Sequence, residues 1–191
     1  ELVNLSDTKR GESNRRLLDE LVPDKVPLDV LHSVLRLLLA EQVSIRNLPV
    51  IIETVAKLRP LHASPEATYE FVRQALGFQL IANLKRKDGT IPLIQLAPEW
   101  EQTFSTYQLE TEQGIANIAL PPDLFSKLVA SVGDQVSKQT ERGVTPAIVT
   151  STQRRRFLRT VISTRGIAAP VLSFEEIGTE AVPAIVGVAV A

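Results

Sequence analysis

The hydrophobic period changes once along this chain, and that change limits what it can fold into. Up to the polar run Lys85-Arg86-Lys87-Asp88-Gly89-Thr90, apolar residues return every three or four positions, which is helical spacing. Beyond it, short apolar runs alternate with helical stretches, the pattern of layered strands and helices. The expected fold is therefore α+β. A helical bundle subdomain covers residues 1–88, and a small α/β subdomain with a mixed sheet covers 89–191. The Asp-Gly pair marks the turn between them.

In the first half, Arg15 to Val22 reads as a short helix stopped by Pro23. Pro27 suits the opening of the next helix, whose apolar positions are Leu28, Leu31, Val34, Leu35, Leu38 and Leu39. Val30 and Leu37 widen that stripe to about 200°, more than one core contact needs. Such a helix is either central in its bundle or has a second apolar side for a neighbour. Asn47 then reads as an N-cap before a helix carrying Leu48, Ile51, Ile52, Val55 and Leu58. Ser64-Pro65-Glu66 opens a long third helix running to about Leu84.

In the second half, Ile91–Leu96, Pro146–Thr150, Val171–Phe174 and Val182–Val190 read as strands. Helices open at Pro98, at Pro121-Pro122-Asp123 and after Ser151. Ile115–Leu120 fits either a short strand or an ordered approach to the next helix. The last run is nearly all apolar, as expected for a strand buried on both faces.

The residue inventory argues against catalysis. The 191 residues include no Cys, so disulfides, thiolate metal sites and cysteine nucleophiles are excluded. His32 and His62 stand apart, without ligand-like spacing, and no metal or cofactor is expected. No glycine grouping forms a phosphate loop or a dinucleotide fingerprint, and no nucleophile elbow occurs. Glu175-Glu176 reads as a solvated turn, and Glu99 and Glu101 as acids complementing a helix dipole.

Nucleic acid is a poor fit as a partner. Net charge is −1, with 13 Lys/Arg against 12 Asp/Glu up to residue 90 and 8 against 10 after it. The helix-turn-helix candidate, Leu48 to Arg59, offers only Glu53, Thr54, Lys57 and Arg59 to base edges. A generic protein-interaction adaptor is the stronger alternative.

One charged cluster stands out, Arg154-Arg155-Arg156 with Arg159. With Phe157, Leu158, Val161 and Ile162 on the buried side, the expected solvent face holds Arg155, Arg156 and Arg159, and Arg154 lies nearer the core edge. Those three arginines read either as a solvated face with local acids or as a docking patch for an acidic protein partner.

Met is also absent, including at position 1, as expected of a piece from a longer protein. No signal peptide opens the chain, and its longest apolar stretch, Ala181–Ala191, is about half of what a bilayer requires, so a soluble piece is expected.

Several stretches in order resemble one family. They are Leu21-Val22-Pro23, Leu31 to Leu38, Glu41 to Leu48, Ile51-Ile52-Glu53, Val72 to Leu76, Leu96 to Gln102 and Pro170 to Ile177. Together they resemble the FlhA family of type III secretion export-gate proteins, flagellar and injectisome branches alike, with Pro98-Glu99-Trp100-Glu101-Gln102 leaning towards the flagellar one. The resemblance implies the C-terminal part of a large cytoplasmic region, with the helical third subdomain followed by the α/β fourth. It implies a homo-oligomeric, nonameric ring at the cytoplasmic face of the bacterial inner membrane, anchored only through an N-terminal part outside this chain. The implied partners are export substrates, their chaperones and the export ATPase and stalk proteins. The over-wide helix and the turn after it then become ring-contact candidates, through Val30, Leu37, Val43, Ser44, Ile45, Arg46 and Asn47. Arg155, Arg156 and Arg159 become candidates for docking the stalk or ATPase side.

Overall fold

A computed structural model describes residues 12, 26–109, 117–179 and 181–191. The short helix expected over Arg15–Val22 lies outside these. The chain divides into two compact units, Glu1–Leu80 and Ile81–Ala191. The division precedes the polar run because that run is bonded into the second unit: Arg86 N donates to Thr90 O, and Val182 N donates to Gly89 O.

The first unit holds α1 (Leu28–Ala40), α2 (Leu48–Leu58) and α3 (Pro65–Ala75), with α4 (Gly77–Ala82) leading the chain onward. Ser64 caps α3, its side chain accepting from Ala67 N at 3.1 Å, as its type and position predict. The long third helix expected from Ser64 to Leu84 is instead broken at Leu76, with Gly77 opening the next segment. Glycine costs a helix interior about 1 kcal/mol relative to Ala, which favours the break at that point. Leu31, Val34 and Leu38 of α1 meet Ile51, Ile52 and Val55 of α2 and Tyr69 and Val72 of α3 in one core. Leu28 and Leu39 stay exposed, so only part of the wide apolar arc of α1 is used within its own unit.

The second unit runs β1 (Thr90–Leu96), α5 (Pro98–Thr106), β2 (Gln108–Leu109), β3 (Asn117–Ile118), α6 (Pro122–Glu141), β4 (Ala147–Thr150), α7 (Thr152–Ser163), β5 (Val171–Ser173), α8 (Phe174–Ile177) and β6 (Val182–Ala189). The class is α+β, as expected. Parallel and antiparallel pairing both occur, in separate places. The main sheet, ordered β5-β4-β1-β6, is parallel throughout, and β2 and β3 form a short antiparallel ribbon. Helix α6 packs on β6 and β1, α7 packs on β5 and β4, and the two helices pack on each other. Between helices and sheet lie Ile94, Leu128, Val132, Ile148, Leu158 and Ile162. Trp100 stacks on Phe104 at 5.9 Å, and Phe104 meets the edge of Phe157 at 5.3 Å.

The final strand is not buried on both faces. β6 is an edge strand, with Val182, Ile185 and Val188 exposed. An unbroken apolar run suits either position, and it is the crossover order that sends this one to the edge. The edge carries its own irregularities. Pro183 lacks an N–H, and the register slips between Leu93 and Ile94, leaving Val186 as the extra residue of a bulge. The buried Gln139 side chain donates to Val186 O at 2.8 Å and so satisfies the displaced carbonyl.

Candidate functional site

Two surfaces carry the candidate contacts, one on each unit. On the first, α1 ends at Glu41 and hands the chain to the 43–47 turn. Val43 N donates to Leu38 O at 2.9 Å and Gln42 N to Leu39 O at 3.0 Å, the paired bonds of a Schellman stop. Gln42 takes the left-handed conformation this requires, with φ 58°. The same motif turns Val43 inward against Leu38, so Val43 is 5% exposed and belongs to the core. It is therefore corrected from contact candidate to packing residue.

Beyond it, Ser44 and Arg46 are exposed, while Ile45 and Asn47 are half-buried, as are Val30 and Leu37 on α1. The turn is tethered at both flanks. Arg73 Nη1 lies 3.2 Å from Glu41 Oε2, with its guanidinium over the Tyr69 ring at 5.9 Å, and Gln79 Nε2 donates to Ser44 O at 2.7 Å. Asn47 stands at the start of α2 but makes no side-chain cap bond. Pro49, at the second helical position, removes one of the two N–H groups such a cap would bind.

On the second unit, the arginine run separates residue by residue. Arg154 is 4% exposed and ties α7 to two elements, α5 and β2: its Nε and Nη2 reach Glu101 Oε1 at 2.9 and 2.8 Å, Nη1 reaches Gln108 Oε1 at 2.7 Å, and Nη2 reaches Ser105 Oγ at 3.3 Å. Arg155 does not share the solvent face expected for it. It is fully buried, with Nε 3.9 Å from Glu176 Oε1. It precedes Leu158 by three and Ile162 by seven residues, which puts it on the buried stripe, and Glu176 supplies the counter-charge that makes burial tolerable.

Glu176 is accordingly no solvated turn acid. It forms a capping box with Ser173, accepting from Ser173 N at 3.1 Å while its own N donates to Ser173 Oγ at 3.2 Å. Glu175 does face solvent and accepts from Thr152 Oγ1 at 2.7 Å. Partial burial raises its carboxyl, but hydrogen bonds from Thr152, its own backbone and Ser173 outweigh that and hold it below its ordinary value. Arg156 and Arg159 remain, half-buried on the outer side of α7, and their side chains have no hydrogen-bond or ion-pair partner among the described residues.

His32, on α1, and His62, in the turn before α3, are both exposed. Among the described residues no group of three or more His, Cys, Asp or Glu could hold a metal ion, and no helix is long and apolar enough to cross a membrane.

Comparison with known proteins matches residues 1–182 to the FHIPEP family. The flagellar biosynthesis protein FlhA of Caulobacter vibrioides is 34% identical over 79% of this chain, and that of Bacillus subtilis 28% identical over 93%. The matches cover 21% and 27% of those proteins, so the chain spans about a quarter of their length. The nonameric cytosolic domain of EscV from a type III secretion system superposes with a TM-score of 0.76 at 24% identity, covering 99% of this chain and 55% of that one. The CdsV protein of Chlamydia pneumoniae, solved in complex with CdsO, superposes with a TM-score of 0.79 at 24% identity, covering 95% and 52%.

Proposed function

This chain belongs to the FHIPEP family, and from that premise we propose that it is the C-terminal part of the cytoplasmic region of a type III export gate. In this reading the parent protein forms a homo-oligomeric ring, nonameric like the EscV domain, at the cytoplasmic face of the bacterial inner membrane. The ring is a docking platform for export substrates, their chaperones and the ATPase and stalk proteins. The work is contact rather than chemistry. The observation that carries the reading is the family match running from residue 1 to residue 182 across both units.

Within the ring, the contact is assigned to Val30 and Leu37 on α1 together with Ser44, Ile45, Arg46 and Asn47. The exposed Leu28 and Leu39 extend the same helix's unused apolar surface, and the turn is tethered firmly enough to meet a neighbour without a large ordering cost. The test is genetic. Deleting the segment for this chain from the parent gene, with the parent's membrane level verified, is expected to abolish secretion of export substrates. Secretion at the parental level would overturn the reading.

A further inference from the structure

Arg156 and Arg159 form a small cationic face on α7 that no acid among the described residues neutralises. We infer that this face docks an acidic segment of a partner protein, through carboxylates placed across the two guanidinium groups. Four arginines lie between Arg154 and Arg159, and only two are matched internally: Arg154 by Glu101 and Arg155 by Glu176. α7 itself, Thr152–Ser163, contains no acidic residue. The acid beside its first turn, Glu175, is engaged by Thr152.

Thr152, Arg156, Arg159 and Ser163 share one side of the helix at spacings of four, three and four. Both guanidinium-bearing residues are half-buried. Their stems are therefore partly held against the helix surface, and ordering the side chains on a partner costs less freedom than at a fully exposed arginine. Arginine forks suit carboxylate bidentately, where a lysine would offer only a point charge. A protein acid fits better than nucleic acid, because two cations on a chain of net charge −1 supply little of the field that a phosphate backbone requires.

This surface is separate from the ring contact on the first unit, so it stands or falls independently of assembly. The test uses the full 191-residue chain and a fluorescein-labelled octaglutamate peptide followed by fluorescence anisotropy at low salt. A labelled dT8 oligonucleotide serves as the competing anion. Wild type is expected to bind the peptide saturably and to release it as salt screens the contact. The double variant Arg156→Glu/Arg159→Glu, shown folded by circular dichroism, is expected to bind at least about tenfold more weakly. Arg156→Lys/Arg159→Lys should bind more weakly than wild type but more tightly than the charge reversal, and Arg165→Glu, at an exposed position beyond the helix end, should leave binding unchanged. Absence of saturable peptide binding, equal binding by the double charge reversal, or dT8 binding as tight as the peptide's would each overturn the inference.

Discussion

Gln42 holds a backbone conformation that suits glycine, and it does so because α1 must stop where Val43 can turn into the core. An L-residue there bears a left-handed strain of about 1–2 kcal/mol. Gln42→Gly should relieve it and, after the extra freedom of glycine in the unfolded chain is subtracted, stabilise the protein by about 0.5–1 kcal/mol. A higher denaturant midpoint with an unchanged slope would show this. Glu175 offers a second residue-level test. Its carboxyl is held below the ordinary value, so its bonds stabilise the fold at pH above the unfolded carboxylate's titration, and that gain is lost as pH falls through the lower folded value. Thr152→Val should move the carboxyl upward, because burial then meets one hydrogen bond fewer. The variant's deficit in melting temperature should shrink in acid, and a deficit constant with pH would contradict the assignment.

Between elements, Arg155 and Glu176 tie α7 to the β5–α8 corner inside the core. Breaking such a pair on one side strands the other charge, so Arg155→Met should cost about 3–5 kcal/mol. Adding Glu176→Gln should cost less than the sum of the two single changes, as measured by a double-mutant cycle in denaturant. This pair also shows where sequence pattern stops being informative. From pattern alone Arg155 goes on the solvent face with Arg156 and Arg159, because a charge on a buried stripe is credible only once its partner is known, and Glu176 lies 21 residues further on. The strand positions, the Ser64 cap and the helices opening at Pro98 and Pro122 were legible, because period, proline and capping chemistry are local. The edge placement of β6 was not, since it follows from which strands the crossovers bring together. The burial of Val43 was half legible, in that a helix stop followed by an apolar residue is a known pairing, but Gln42 disguised the stop that glycine would have announced.

At the scale of the whole molecule, each unit presents one candidate contact surface among its described residues. The first offers the half-used apolar arc of α1 with the tethered turn after it, and the second the two unmatched arginines of α7. The proposed docking role rests on these two surfaces and on the family match across both units. The central claim for the first unit is that it forms the ring contact. It is tested most directly by light scattering with size exclusion on the parent's complete cytoplasmic region, beside Arg46→Glu. The account predicts a nine-fold mass for the parent form, with the charge reversal shifting the population towards monomer at the same concentration. A parent form that stays monomeric throughout, or a variant whose rings are as abundant as the parent's, would contradict it.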